Sequence, residues 1–186
     1  QAGEHSAIFF RKSRFALLGK GDFWLSETPD RPSFGWDATC CHRLASWARL
    51  RDRTSNRVFY VFSVHFDHEG EQARRASADL VLRKIAEITR GEPAICVGDF
   101  NSTPETPQIQ AMSKTMRDAR QASQSPPYGP VGTFNAFRLD AAMQDRIDYI
   151  FVDRHAAVLK YAVLSDSFER RYPSDHHPVV ARVVFK

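Results

Sequence analysis

Residues 58–101 read VFYVFSVHFDHEGEQARRASADLVLRKIAEITRGEPAICVGDFN. The run Val58 to Phe66 is apolar almost throughout and rich in β-branched and aromatic residues, which predicts a strand covered on both faces. Glu69-Gly70 then opens a segment in which Ala73, Ala76, Leu80, Ile85 and Ile88 recur at steps of three to five. Arg74, Asp79, Arg83 and Glu87 fill the other face, so the spacing predicts an amphipathic helix of about 20 residues. Arg90 and Gly91 supply a cation in its last turn and a stop. Ala94 to Val97 is a second buried strand, ending in Gly98-Asp99-Phe100-Asn101. Strand, helix, strand over this span predicts a mixed α/β fold.

The pattern continues outward from that unit. Thr103-Pro104-Glu105 is expected to open a short helix reaching about Met116. Gln121 to Gly132, with Pro126, Pro127 and Pro130, reads as an exposed loop. Arg146 to Asp153, Ala157 to Leu164 and Pro178 to Phe185 are strand candidates, as are Ala7 to Phe10 and Arg14 to Leu18.

A length of 186 residues suits one domain, and 42% hydrophobic with 26% charged residues excludes a disordered or membrane-embedded chain. No apolar run is long enough to span a bilayer, and Gln1 to Ser6 has neither a basic nor an apolar leader region. The net charge of +4 favours anionic partners: nucleic acid, phosphorylated small molecules or lipid headgroups. Its basic residues are scattered, with short clusters at Arg49, Arg51, Arg53 and Arg57 and at Arg74 and Arg75, which reads equally as a solvated surface. Cys40, Cys41 and Cys96 form neither a disulfide framework nor a zinc pattern and are expected as free thiols, Cys96 inside a strand.

Four segments place polar groups at the rims of apolar strands: His65-Phe66-Asp67-His68, Gly98-Asp99-Phe100-Asn101, Arg146-Ile147-Asp148-Tyr149 and Ser174-Asp175-His176-His177. Strand side chains alternate between faces, so Asp99 and Asn101 leave one side while Phe100 enters the core, and His65 and Asp67 share a side. A carboxylate beside a carboxamide suits phosphoryl chemistry, one accepting a proton from water and the other donating to a phosphate oxygen. Each segment alone has a bland reading: a hydrogen-bonded surface histidine, a buried aspartate satisfied by amides, an Asx turn, a capped loop. All four together, each at the end of an apolar strand, point to one site.

In VHFDH at 64–68, GDFNSTP at 98–104, RIDYIFV at 146–152 and YPSDHHPV at 172–179, the chain resembles the endonuclease/exonuclease/phosphatase superfamily. The resemblance implies a four-layer α-β-β-α sandwich of two mixed sheets, with residues 1–186 forming a single domain that lacks its first strands. It implies a divalent-metal-dependent hydrolase of phosphate esters. His65 matches the histidine that contacts the scissile phosphate, Asp99 the aspartate that orients or deprotonates the attacking water, and Asn101 the phosphate-binding asparagine. Asp148 and His176 match an Asp–His pair in which the carboxylate fixes the imidazole tautomer. Asp175 matches a carboxylate near the metal, Mg²⁺ being expected and Mn²⁺ a substitute. The stretch holding Trp24, Glu27, Trp36 and Asp37, with Arg43 beyond, looks like the same stretch in a bacterial branch. Arg43 there is either a phosphate-pairing pocket residue or a surface arginine, and Trp24 and Trp36 are expected to pack.

The family's metal-binding glutamate has no counterpart before His65, where Glu4 and Glu27 are the only glutamates and neither ends an apolar strand. A phosphate-binding or scaffold module without turnover is therefore the alternative. A binuclear metallophosphoesterase would require an opening Asp-x-His and paired late histidine motifs that this chain lacks.

Overall fold

The apolar strands assemble as their patterning demands, in a computed structural model that describes residues 5–186. Eight strands and three helices alternate as β1 (Phe15–Trp24), β2 (Leu44–Asp52), β3 (Val58–His65), α1 (Glu71–Thr89), β4 (Ala94–Asp99), α2 (Pro107–Thr115), β5 (Arg117–Asp118), α3 (Ala119–Ala122), β6 (Asp148–Val152), β7 (Ala156–Val163) and β8 (Val179–Phe185). Six strands form one sheet in the order β1-β2-β3-β4-β6-β5, and β7 pairs with β8 in a second. Only β3 and β4 run parallel, joined through α1.

Both faces of the large sheet are covered at its central strands. Phe62, Val64, Cys96, Tyr149 and Phe151 face α1 and α2, packing on Leu80, Val81, Ile85, Ile109 and Met112. Ile95, Ile150 and Val152 point the other way, onto Val158, Tyr161 and Val163 of the second sheet. The mixed α/β sandwich expected from the sequence is present, and of its four expected layers the helices, the large sheet and the second sheet stand among the described residues. On β8, Val179, Ala181 and Val183 pack inward while Val180 and Val184 are exposed, so the second sheet is open on its outer side among the described residues. Of those residues, no helix is long and apolar enough to cross a membrane.

Several expectations are corrected. Ala7 to Phe10 lies outside regular structure, while β2 went unrecognised. Its buried residues are the small Ala45 and Ala48 with Leu50, and between them Arg49 pairs with Glu92 at 2.9 Å, so hydrophobic alternation is masked. The second helix starts at Pro107, because Thr103 to Thr106 closes a turn first. The last turn of α1 holds no basic residue; Arg90 is its left-handed cap instead. The proline-rich loop is partly tied down, bridging Val158 through Ser123 and Ala162 through Tyr128. Cys40 and Cys41 are joined as a disulfide between neighbours rather than left free, whereas Cys96 is free and buried. Glu4 lies outside the described residues.

Asp67 also departs from expectation. It is buried and turned to the start of α1, accepting from the N–H groups of Glu69 at 2.9 Å and Gly70 at 2.6 Å, with Arg43 Nε 3.7 Å away. Burial pushes its pKa up, but the two backbone donors and the Arg43 charge outweigh this, so the net shift is downward. The ionised carboxylate therefore stabilises the fold above the ordinary aspartate value of about 4, and that contribution fades as pH falls below it. Asp67→Ala is expected to cost about 2–3 kcal/mol at pH 7 by urea unfolding, with the gap to wild type narrowing in acid. A gap that is constant with pH would show that the charge contributes nothing.

Candidate active site

The register of the large sheet builds the site. His65 pairs with Asp99 across the parallel β3–β4 ladder, and Asp99 pairs with Asp148 across the antiparallel β4–β6 ladder. Residues directly opposite share a face, so the three end their strands in one row, on the side facing the second sheet. Gly98 lets the strands approach: a Cβ there would lie 1.9 Å from the carbonyl oxygen of Val64, and its φ of 147° disfavours other residues. His176, just before β8, reaches across from the other sheet.

Asp99 stands between two imidazoles, its Oδ2 3.4 Å from His65 Nε2 and 3.9 Å from His176 Nε2. His176 Nδ1 lies 2.8 Å from Asp148 Oδ2. That bond raises the histidine's pKa against the opposing effect of burial, with the Asp148, Asp99 and Asp175 charges adding to it. Asp99 is itself pushed up to about 6, chiefly by burial and then by Asp148, with the Asn101 N–H, His176 and Arg43 pulling the other way. A carboxylate poised there is a proton acceptor close to neutrality. Asn101, at a left-handed φ of 44°, donates its N–H to Asp99 Oδ1 at 2.8 Å and its carboxamide to the Phe66 carbonyl at 3.0 Å.

Arg43 is buried, with Nη1 3.0–3.1 Å from the ring nitrogens of His65 and Nη2 2.8 Å from His68 Nδ1. A guanidinium only donates, so His68 Nδ1 is an acceptor and carries no proton in this contact. The structure thus brings His65, Asp99, Asn101, Asp148 and His176 together and places Arg43 behind His65. Asp99, Asp148 and His176 offer ligand atoms within 4.8 Å of one another, a group that does not include Asp175. Their donor set fits a hard divalent cation through its two carboxylates, with only Nε2 of His176 left by the bond to Asp148. Asp175 interacts with Ser174 Oγ at 3.3 Å, and its carbonyl accepts from the N–H groups of Asn135 and Ala136.

Thr133, fully buried, was missed in the sequence. Its Oγ1 lies 3.1 Å from the N–H groups of both Ile147 and Asp148, and its carbonyl accepts from His177 N–H at 2.7 Å. One residue therefore sets the heights of both members of the Asp148–His176 pair. Asn135 assists by donating its carboxamide to the Ser174 carbonyl at 3.2 Å. The only trace of this in the sequence is Gly132-Thr133-Phe134-Asn135 at the end of the proline-rich loop.

An Asp–His pair, a second histidine backed by arginine and a carboxylate with a raised pKa thus stand together at the rim between the two packed sheets of a mixed α/β sandwich. The Endonuclease/Exonuclease/phosphatase family model matches residues 10–176, and the chain belongs to that family of phosphate-ester hydrolases. It is similar to the mannosyl-6-phosphatase Bt3783 of Bacteroides thetaiotaomicron VPI-5482, at 41% identity and TM-score 0.89 over 95% of this chain and 69% of that one. A second family protein from Bacteroides thetaiotaomicron is 39% identical with TM-score 0.91, covering 95% of this chain and 68% of that one. An uncharacterized mimivirus protein, L388 of Acanthamoeba polyphaga mimivirus, is 31% identical over 42% of this chain, which spans 30% of that relative's length.

Proposed function

We propose that this chain is a divalent-metal-dependent hydrolase of phosphate monoesters, with phosphorylated carbohydrate as the substrate class. The observation that carries the reading is the placement of Asp99 between His65 and His176, with Asp148 bonded to the latter. The sugar-phosphate assignment is supported by the 41% identity to a mannosyl-6-phosphatase.

Asp99 orients water and takes its proton, its raised pKa keeping it basic enough to do so near neutrality. His65, with Arg43 behind it, and the second N–H of the Asn101 carboxamide meet the phosphate oxygens, supplying donors where negative charge builds up. His176, held as imidazolium by Asp148, stabilises or protonates the departing oxygen. Asp99 and Asp148, with Asp175 as a further carboxylate, would hold Mg²⁺ or Mn²⁺. When bound, the cation supplies Lewis-acid polarisation of the phosphoryl group.

A panel of mannose 6-phosphate, bis-p-nitrophenyl phosphate and DNA tests this. Turnover of the sugar phosphate with Mg²⁺, abolished by EDTA and restored by Mn²⁺, is the expected result. Preference for either diester would remove the monoester assignment. Phosphate binding without turnover of any substrate would instead support a non-catalytic module.

A further inference from the structure

Asn101 belongs to two surfaces. Its backbone N–H bonds Asp99, while the residue also lines a recess of ≈ 240 Å³ between the first turns of α1 and α2. Ile147, the neighbour of Asp148, lines the same recess, and Asn101 is what joins the recess to Asp99. At roughly 30 Å³ per water its volume equals about eight waters, the bulk of one small polar group rather than a nucleotide or a longer chain.

The lining is chemically mixed. Its lining residues bring the carboxamides of Asn101 and Gln108, the hydroxyls of Ser102, Thr103 and Thr106, the Arg74 guanidinium and the Glu71 carboxylate. No aromatic ring lines it, so it has no platform on which a nucleobase would stack. With one cation and one anion it is not an electrostatic trap for a second phosphate. Alternating donors and acceptors of this kind suit a neutral group that both donates and accepts.

Gln108 adds an independent sign. It is only 4% exposed, its Nε2 bonds Ser102 Oγ at 2.7 Å, and its Oε1 has no hydrogen-bond partner among the described residues. Because Ser102 has a hydroxyl, turning the carboxamide over would satisfy Oε1 and strand Nε2 instead. One end lacks a partner either way, and a buried polar group in that state is expected to meet a ligand or water. Arg74 likewise makes one hydrogen bond among the described residues, to the Asp67 carbonyl at 3.4 Å, and its charge also acts on Asp37, which leaves donors to spare.

We propose that this recess binds the hydroxyl-bearing alcohol portion of the substrate while the phosphate lies at Asp99, with Asn101 touching both. The proposal rests on the phosphomonoesterase reading and names the site that selects a polyol leaving group. Kinetics of the full chain with mannose 6-phosphate and with p-nitrophenyl phosphate, which carries no sugar, separate the two. Arg74→Met and Gln108→Met are each expected to raise KM for mannose 6-phosphate about tenfold, the effect of losing one or two hydrogen bonds. The values for p-nitrophenyl phosphate should stay within about twofold. Thermal melts verify folding, and Arg74→Met, on the half-buried helix surface, tests the idea even where Gln108→Met unfolds. Equal effects on both substrates, or none on either, would overturn the polyol site. Saturation-transfer NMR with free mannose gives a readout independent of turnover: contact with wild type, lost in Arg74→Met. Absence of contact with wild type would also overturn the site, whereas failure to hydrolyse any monoester while mannose still binds would sink the catalytic reading alone.

Discussion

Asp99→Ala is expected to lower kcat for the preferred phosphate ester by a factor of about 10²–10⁴ while changing KM much less. The reason is position and charge together. Asp99 ends β4 at the centre of the row, within 3.4 Å of His65 and 3.9 Å of His176, and its burial raises its pKa to about 6. Alanine removes both the proton acceptor and the negative charge between two imidazoles. Asp148 is the nearest in the sheet, but it is already committed to His176. Steady-state kinetics with thermal melts beside them decide the matter. A variant that keeps its fold and turns over within a few-fold of wild type would refute the role given to Asp99.

A loss of similar size is expected for His176→Ala, about 10²–10⁴ in kcat, and Asp148→Asn should reproduce much of it. Asp148 acts through His176: the 2.8 Å contact fixes which ring nitrogen carries the proton and holds the imidazolium charged. An asparagine can still meet the ring, but it brings no charge and permits the wrong tautomer. Because the two residues work as one unit, the double variant should be scarcely worse than His176→Ala alone. Additive losses would show that the part of Asp148 in holding the metal outweighs its part in orienting His176. In the Asp148→Asn variant the histidine loses its principal source of raised pKa, so the alkaline limb of kcat against pH should move to lower pH. An unmoved limb alongside reduced kcat would mean that Asp148 acts only by shape.

The sequence by itself determined the strands around the chemistry and the identity of the site's polar groups. Val58 to Phe66 and Ala94 to Val97 are apolar on both faces, and a polar group at the end of such a strand has nowhere to be satisfied except the rim. His65, Asp99, Asn101, Asp148 and His176 were legible for that reason. Segments whose burial does not announce itself were not. Strand β2 buries two small alanines and sets its buried Leu50 between arginines, and Thr133 acts through a single hydroxyl in a loop.

Only the tertiary structure decided which rim groups meet. Asp148 and His176 are 28 residues apart, one opening β6 and the other lying just before β8 of the second sheet, so their contact depends on how the sheets pack. The row His65–Asp99–Asp148 depends on the register of two ladders, and slipping either by one residue would turn a side chain to the opposite face. Asp67 shows the converse. Alternation put it beside His65, yet the chain leaves the sheet after His65, and the free N–H groups at the start of α1 claim its carboxylate. Local pattern fixes what a residue is able to do; pairing and packing, which join distant residues, settle with whom it does it.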